Sequence, residues 1–162
     1  GESIKSMPRR MRLAMADGSS QEFTFRQIAD ASSQFANLLL ARGIAPGDRV
    51  AIMLEPSFAF YVGLFGAMKM GAIAVPLFTL FGADGGRLRW DDCTPRLLLT
   101  NAEKAPICQG LQGVDVVIAD DAFFAELARH SPKFTPDTKG EQLAAFHRSV
   151  FWHHADELVA AL

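Results

Sequence analysis

Two cysteines in 162 residues, Cys93 and Cys108, are too few and too unevenly placed for a disulfide framework or a metal knuckle. They are expected as reduced structural thiols. Neither sign of charge dominates: 16 Lys and Arg stand against 18 Asp and Glu, a net −2. That removes the electrostatic case for nucleic acid or an anionic membrane surface as partner. No apolar run reaches membrane-spanning length, because Glu55, Lys69 and several glycines interrupt the longest candidates. The N-terminus carries no apolar signal core, so a cytoplasmic location is the expectation.

The common chemical motifs are missing too. Gly82-Ala83-Asp84-Gly85-Gly86 is glycine-rich but lacks the lysine and hydroxyl of a P-loop. No serine stands in a Gly-x-Ser-x-Gly elbow. Four histidines are present, His130, His147, His153 and His154. The adjacent pair would point about 100° apart on a helix and share no face. Asp91-Asp92 is a carboxylate pair expected as surface charge. Accordingly no catalytic, cofactor-binding or metal residue is assigned within the chain.

What is present is an alternation of periodicities. Arg49 to Leu54 is a short, almost continuous apolar run, the pattern of a strand buried on both faces of a parallel sheet. Glu55-Pro56 breaks it, since proline disfavours helix at the residue before it. Ser57 sits where an N-cap belongs, and Phe58, Val62, Phe65 and Met68 fall along one predicted helical face. Gly71 then stands where a C′ glycine ends a helix. Ala72 to Val75 reads as a second strand, stopped by Pro76. Strand, helix, strand is a βαβ unit.

Gly1 to Arg10 is polar and basic and is expected as a flexible arm. Asp17-Gly18, between Met11–Met15 and Glu22–Phe25, suits a hairpin turn. Thr24 and Gln27 form a Thr-x-x-Gln capping box opening a helix to about Arg42, with Ile28, Ala31, Phe35, Leu38 and Leu39 inward and Gly43 as terminator. Asp48 and Arg49 are expected solvated or locally paired at the strand entrance. Further on, a helix weakened by Gly85-Gly86 is predicted from about Ala83 to Asp92. Arg96–Thr100 and Val114–Ala119 read as strands, Ala102–Leu111 as a short helix, and Asp121–Arg129 as a helix capped by Asp120 or Asp121. Turn formers fill Ser131 to Gly140, a linker or loop, and an alanine-rich tail follows from Glu141.

The fold class expected is therefore α/β: a mainly parallel sheet built from consecutive βαβ units, with helices on both faces and a short β-hairpin in front. Residues 1–10 are an arm, 11–130 the α/β body, 131–140 a linker or loop and 141–162 an atypical C-terminal tail. Val50, Ile52, Leu54, Ile73, Val75, Leu97, Leu99, Val116 and Ile118 are predicted buried in the sheet, with Phe35, Leu38, Phe65 and Met68 packed on it.

Several of these residues occur in a particular order: Thr24-Phe25, Gly43, Gly47-Asp48-Arg49-Val50-Ala51, Pro56, Lys69, Gly71-Ala72 and Val75-Pro76-Leu77. Over roughly residues 20 to 102 this order resembles the N-terminal subdomain of the AMP-forming acyl-CoA synthetase, or adenylate-forming ligase, family. The resemblance implies that a full-length parent activates a carboxylate with ATP and Mg, then passes the acyl group to coenzyme A. The family's Ser/Thr-Gly-rich ATP loop and its C-terminal catalytic lysine have no counterpart in this chain. It is therefore expected to be inactive alone, with the remainder of the ligase as its partner. In family members Ala-Phe is followed closely by Ser-Gly-Thr-Thr, whereas Ala145-Phe146 leads here to Phe151-Trp152-His153-His154-Ala155. Codons TTC TGG CAC CAC GCG for the latter spell Ser-Gly-Thr-Thr one nucleotide on, so a frameshift is one expectation for the tail. The alternative function is an autonomous small α/β binding or interaction domain, such as a flavodoxin-like nucleotide binder. Its discriminator is the loop after the first strand, where Glu55-Pro56-Ser57 supplies one hydroxyl only. Phe78, Leu80, Phe81 and Trp90 are the candidates for an exposed apolar face that would drive self-association or be covered by Leu143, Phe146, Phe151, Trp152, Leu158 and Leu162.

Overall fold

The computed structural model describes residues 9–15, 17–77, 93–108 and 110–135. A hairpin of β1 (Arg10–Ala14) and β2 (Ser20–Thr24) leads into α1 (Phe25–Ala41). Then follow β3 (Arg49–Met53), α2 (Phe58–Lys69), β4 (Ile73–Pro76), β5 (Leu97–Thr100), a 3-10 helix (Ala105–Cys108), β6 (Asp115–Ile118) and α3 (Asp121–Leu127). The four later strands form one parallel sheet in the order β4-β3-β5-β6, with Val50 opposite both Ala74 and Leu97. The expected class, a parallel α/β sheet preceded by a hairpin, is what the chain forms.

Local chemistry explains the boundaries. The Thr24 hydroxyl accepts from the Gln27 amide at 3.1 Å while the Gln27 side chain accepts from the Thr24 amide at 2.8 Å, closing the capping box. At the far end of α2, Gly71 adopts φ +84°, its N–H reaches the Met68 carbonyl, and the next N–H, of Ala72, reaches Ala67. That pair of bonds is a Schellman motif, and the left-handed residue in it favours glycine. Asp120, not Asp121, caps α3 by accepting from the Phe123 amide at 2.9 Å.

The strand order decides which face each connection covers. After β3 the chain moves one way, through α2 to β4; from β4 to β5 and on to β6 it moves the opposite way. Right-handed crossovers in opposite directions must lie on opposite faces of the sheet. Accordingly α1, α2 and α3 pack on the face of Val50, Ile52, Leu97, Leu99 and Val117. Cys93, Ile107, Cys108 and Leu111 cover Ala51, Met53, Val75 and Leu98 on the other.

Four expectations need correction. The segment 102–111 is turns and one 3-10 helix: Pro106 has no N–H to donate to an α-helical ladder, and Asn101 turns the chain by accepting from the Lys104 amide at 2.8 Å. Val116 is not core but 36% exposed, because β6 has one strand neighbour among the described residues. Ile73 and Ile118 are only half-buried, at the first position of β4, an edge strand among the described residues, and the last of β6. Phe65 is 39% exposed, whereas Met68, half-buried, does pack against the core as expected. The buried face of α2 is Val62, Gly63, Gly66 and Ala67, with Gly63 against the sheet and Gly66 against α1.

That last shift has a steric cause. A Cβ on Gly66 would lie 2.8 Å from the Ser32 carbonyl oxygen and 2.7 Å from the Phe35 ring, so α1 and α2 approach backbone to side chain. Bulky residues cannot occupy such a crossing, and the aromatics of α2 are turned away from it. The helix expected at 83–92, the residues Phe78, Leu80, Phe81 and Trp90, and the tail 141–162 lie outside the described residues.

Candidate functional site

In open parallel sheets, ligand crevices form beyond the carboxyl ends of the strands, where neighbouring connections diverge. Here that point lies between β3 and β5, because their connections leave in opposite directions. A half-open cavity of about 420 Å³ opens there. Leu54 at the end of β3 and Ala119 just after β6 contribute to its wall, with Phe58 and Phe124 beside them. Their rings stack with centroids 6.0 Å apart. Glu55, Asn101, Glu103 and Lys104 supply the charged and amide groups, and Met15 and Gln21 of the hairpin complete the lining.

The start of α2 faces this space, and three of its N–H groups are already committed. The Phe58 N–H donates to Gln21 Oε1 at 2.9 Å, the Phe60 N–H to Ser57 Oγ at 3.2 Å and the Tyr61 N–H to the Ser57 carbonyl at 3.2 Å. The hydroxyl foreseen after the first strand is thus consumed as a helix cap. The charged groups are two carboxylates and one amine, Lys104 Nζ lying 3.9 Å from Glu103 Oε1. A phosphate would meet net negative charge there. No group of three or more His, Cys, Asp or Glu that could hold a metal ion occurs among the described residues.

Other residues singled out in the sequence serve structure. Asp48 accepts from the Ala45 amide at 2.8 Å and from Arg96 at 3.1 Å, and Arg49 donates to the carbonyl and hydroxyl of Thr94. These pairs sit at the strand entrance, as expected. The Cys108 thiol lies near Lys104, donating to its carbonyl, and burial pushes its pKa up. Its nucleophilic thiolate is therefore suppressed. His130 gives its carbonyl to the Gln34 side chain at 3.2 Å, tying the end of α3 to α1. Asp91, Asp92, the glycine-rich run, His147, His153 and His154 lie outside the described residues.

Sequence reasoning did not single out Gln21, Asn101, Glu103 or Lys104. A usable signal was there: Asn101 directly follows the strand Leu97–Thr100, three leucines and a threonine, where α/β sheets place their site loops.

Comparison with known proteins places this architecture. The AMP-binding enzyme family matches residues 4–157, well beyond the 20–102 that carried the resemblance. Over 130 residues the chain is 34% identical to the fatty acid–[acyl-carrier-protein] ligase ScoC of Streptomyces coeruleorubidus, covering 74% of this chain and 25% of ScoC. The crystal structure of Brucella canis acyl-CoA synthetase superposes with a TM-score of 0.72 at 26% identity, over 84% of this chain and 27% of that one. The inhibitor-bound N-terminal domain of FACL13 from Mycobacterium tuberculosis gives a TM-score of 0.66 at 26% identity, over 74% of this chain and 32% of that domain. The chain spans a quarter or less of the length of the curated relatives it matches.

Proposed function

Because the chain belongs to the AMP-binding enzyme family, we propose that it is the N-terminal part of an AMP-forming acyl-CoA synthetase and performs no adenylation by itself. The whole ligase would use ATP and Mg to convert a carboxylate to an acyl-adenylate, then transfer the acyl group to coenzyme A. In that enzyme, residues 11–130 are the α/β body, 1–10 an arm, 131–140 a linker or loop and 141–162 a tail, all in the cytoplasm. The partner is the remaining polypeptide, and in its absence an exposed apolar face drives self-association.

One observation carries the assignment of no chemistry to this chain: the charged groups lining the cavity are the carboxylates of Glu55 and Glu103 and the amine of Lys104, a net negative charge. That charge repels the phosphates of ATP, so the residues present do not fit them. The strand order β4-β3-β5-β6 is also that of flavodoxin-like nucleotide binders, which keeps the autonomous binding domain as the second reading. The same negative charge counts against it.

The test is direct. The purified chain, given ATP, Mg and a panel of fatty and aromatic carboxylates, is expected to release no carboxylate-dependent pyrophosphate. Release above background overturns the proposal, and tight binding of a mononucleotide without release favours the second reading.

A further inference from the structure

Two helices lie side by side on the same face of the sheet, and only one is dressed for water. On α1 the residues away from the core include Arg26, Gln27 and Asp30, with an Arg26–Asp30 ion pair at 3.4 Å. On α2, from Phe58 to Met68, there is no charged residue at all. Its inner stripe is Val62, Gly63, Gly66 and Ala67. Its outer side carries Tyr61 and Phe65, whose rings stack 24° from parallel with centroids 6.1 Å apart, while Phe60 meets Tyr61 edge-on at 5.3 Å. Neither Tyr61 nor Phe65 belongs to the packed core. A helix apolar on every side is the signature of an element with packing on every side.

We propose that the outward face of α2, centred on Tyr61 and Phe65, is the surface on which the remaining polypeptide of the ligase packs. This rests on the family reading above. Three observations favour that occupant over a partner that comes and goes. A transiently exposed surface has to be compatible with water when free, whereas permanent interfaces are more apolar and resemble a domain core. The face is long enough for a permanent contact, since twelve helical residues span about 18 Å. Such a polypeptide also exists in the relatives: the matched part is only 27% of the Brucella canis chain. The Tyr61 hydroxyl makes no hydrogen bond to the described residues. It can bond the covering polypeptide, as buried tyrosines at interfaces usually do.

The experiment uses one double substitution in two settings. Tyr61→Asp with Phe65→Asp is made in the 162-residue chain and in Brucella canis acyl-CoA synthetase whose matching segment has been replaced by this chain. In the isolated chain the pair is expected to keep the circular dichroism spectrum and lower binding of an apolar fluorescent dye at least threefold. In the chimera it is expected to cut the soluble yield at least tenfold. Equal yields of the two chimeras, at whatever level, overturn the proposal. So does an isolated wild-type dimer that the pair dissociates without lowering the chimera yield, which would make a second copy the occupant. A chimera that forms acyl-CoA equally well with and without the substitutions keeps the family reading and discards only this surface.

Discussion

Gly66 of α2 and Ser32 of α1 leave no room for a side chain between them: a Cβ on the glycine would stand 2.8 Å from the serine's carbonyl oxygen. The contact is backbone to prospective side chain, so neither partner can rotate away. Nearby, Lys69 Nζ donates to the Ala29 carbonyl at 2.8 Å and to Ser33 Oγ at 3.0 Å, fixing the same crossing with a polar clamp.

Gly66→Ala is therefore expected to destabilise. Alanine gains about 1 kcal/mol of helix propensity over glycine, but overpacking costs about 1–3 kcal/mol or more where the obstacle cannot shift. Gly63→Ala is the control, because its Cβ would meet side-chain atoms only, the end of Leu99 at 2.7 Å and Ile52 at 3.4 Å, and no backbone. Urea titration should rank Gly66→Ala below Gly63→Ala in stability; the reverse order refutes the crossing described here.

Ile52 lies in the central strand and is fully buried, so Ile52→Ala is expected to cost about 2–5 kcal/mol. Val116→Ala, on the exposed edge, should stay within about 1 kcal/mol by the area it buries. Comparable losses at the two sites would mean that β6 is covered.

Ser57→Ala removes the acceptor for the Phe60 amide and should cost about 0.5–2 kcal/mol. Ser57→Asp restores an acceptor and is expected to recover most of it in thermal melts. No recovery would show that Ser57 acts through something other than its cap.

Lys69 has its pKa lowered, first by burial, against a smaller opposing effect of Asp30. The unfolded chain then holds this proton to higher pH than the folded one. Folding stability should rise with pH between the lowered folded value and the ordinary 10.5, and fall as pH drops through the folded value. Lys69→Met should flatten that rise in denaturant titrations at closely spaced alkaline pH. An unchanged slope would assign it to other groups.

Most of the framework was legible because the relevant signals are local. Proline at 56, serine at 57 and glycine at 71 each act within one turn, so the ends of α2 could be read directly. The rotation of α2 could not. Its glycines, Gly63 and Gly66, carried no signal in the sequence, because their value lies in Ser32, Phe35 and Leu99, partners far away in sequence. Val116 failed for a related reason: an apolar run signals a strand but not which strand lies at the edge. The candidate cavity was the least legible, since its lining comes from the hairpin, three strand ends and two helices.

Pro76 ends β4, opposite Ile52. The N–H groups of Ile73 and Leu77 donate to β3, so by alternation residue 76 faces outward, where a proline has none to offer. An incoming strand would find a gap in the ladder on that side, a known guard against edge-to-edge aggregation. Fibril seeding is therefore biased towards the other margin of the sheet. Pro76→Thr, which returns the missing donor, should shorten the lag of thioflavin-positive growth, and an unaltered lag would mean that this margin is already blocked.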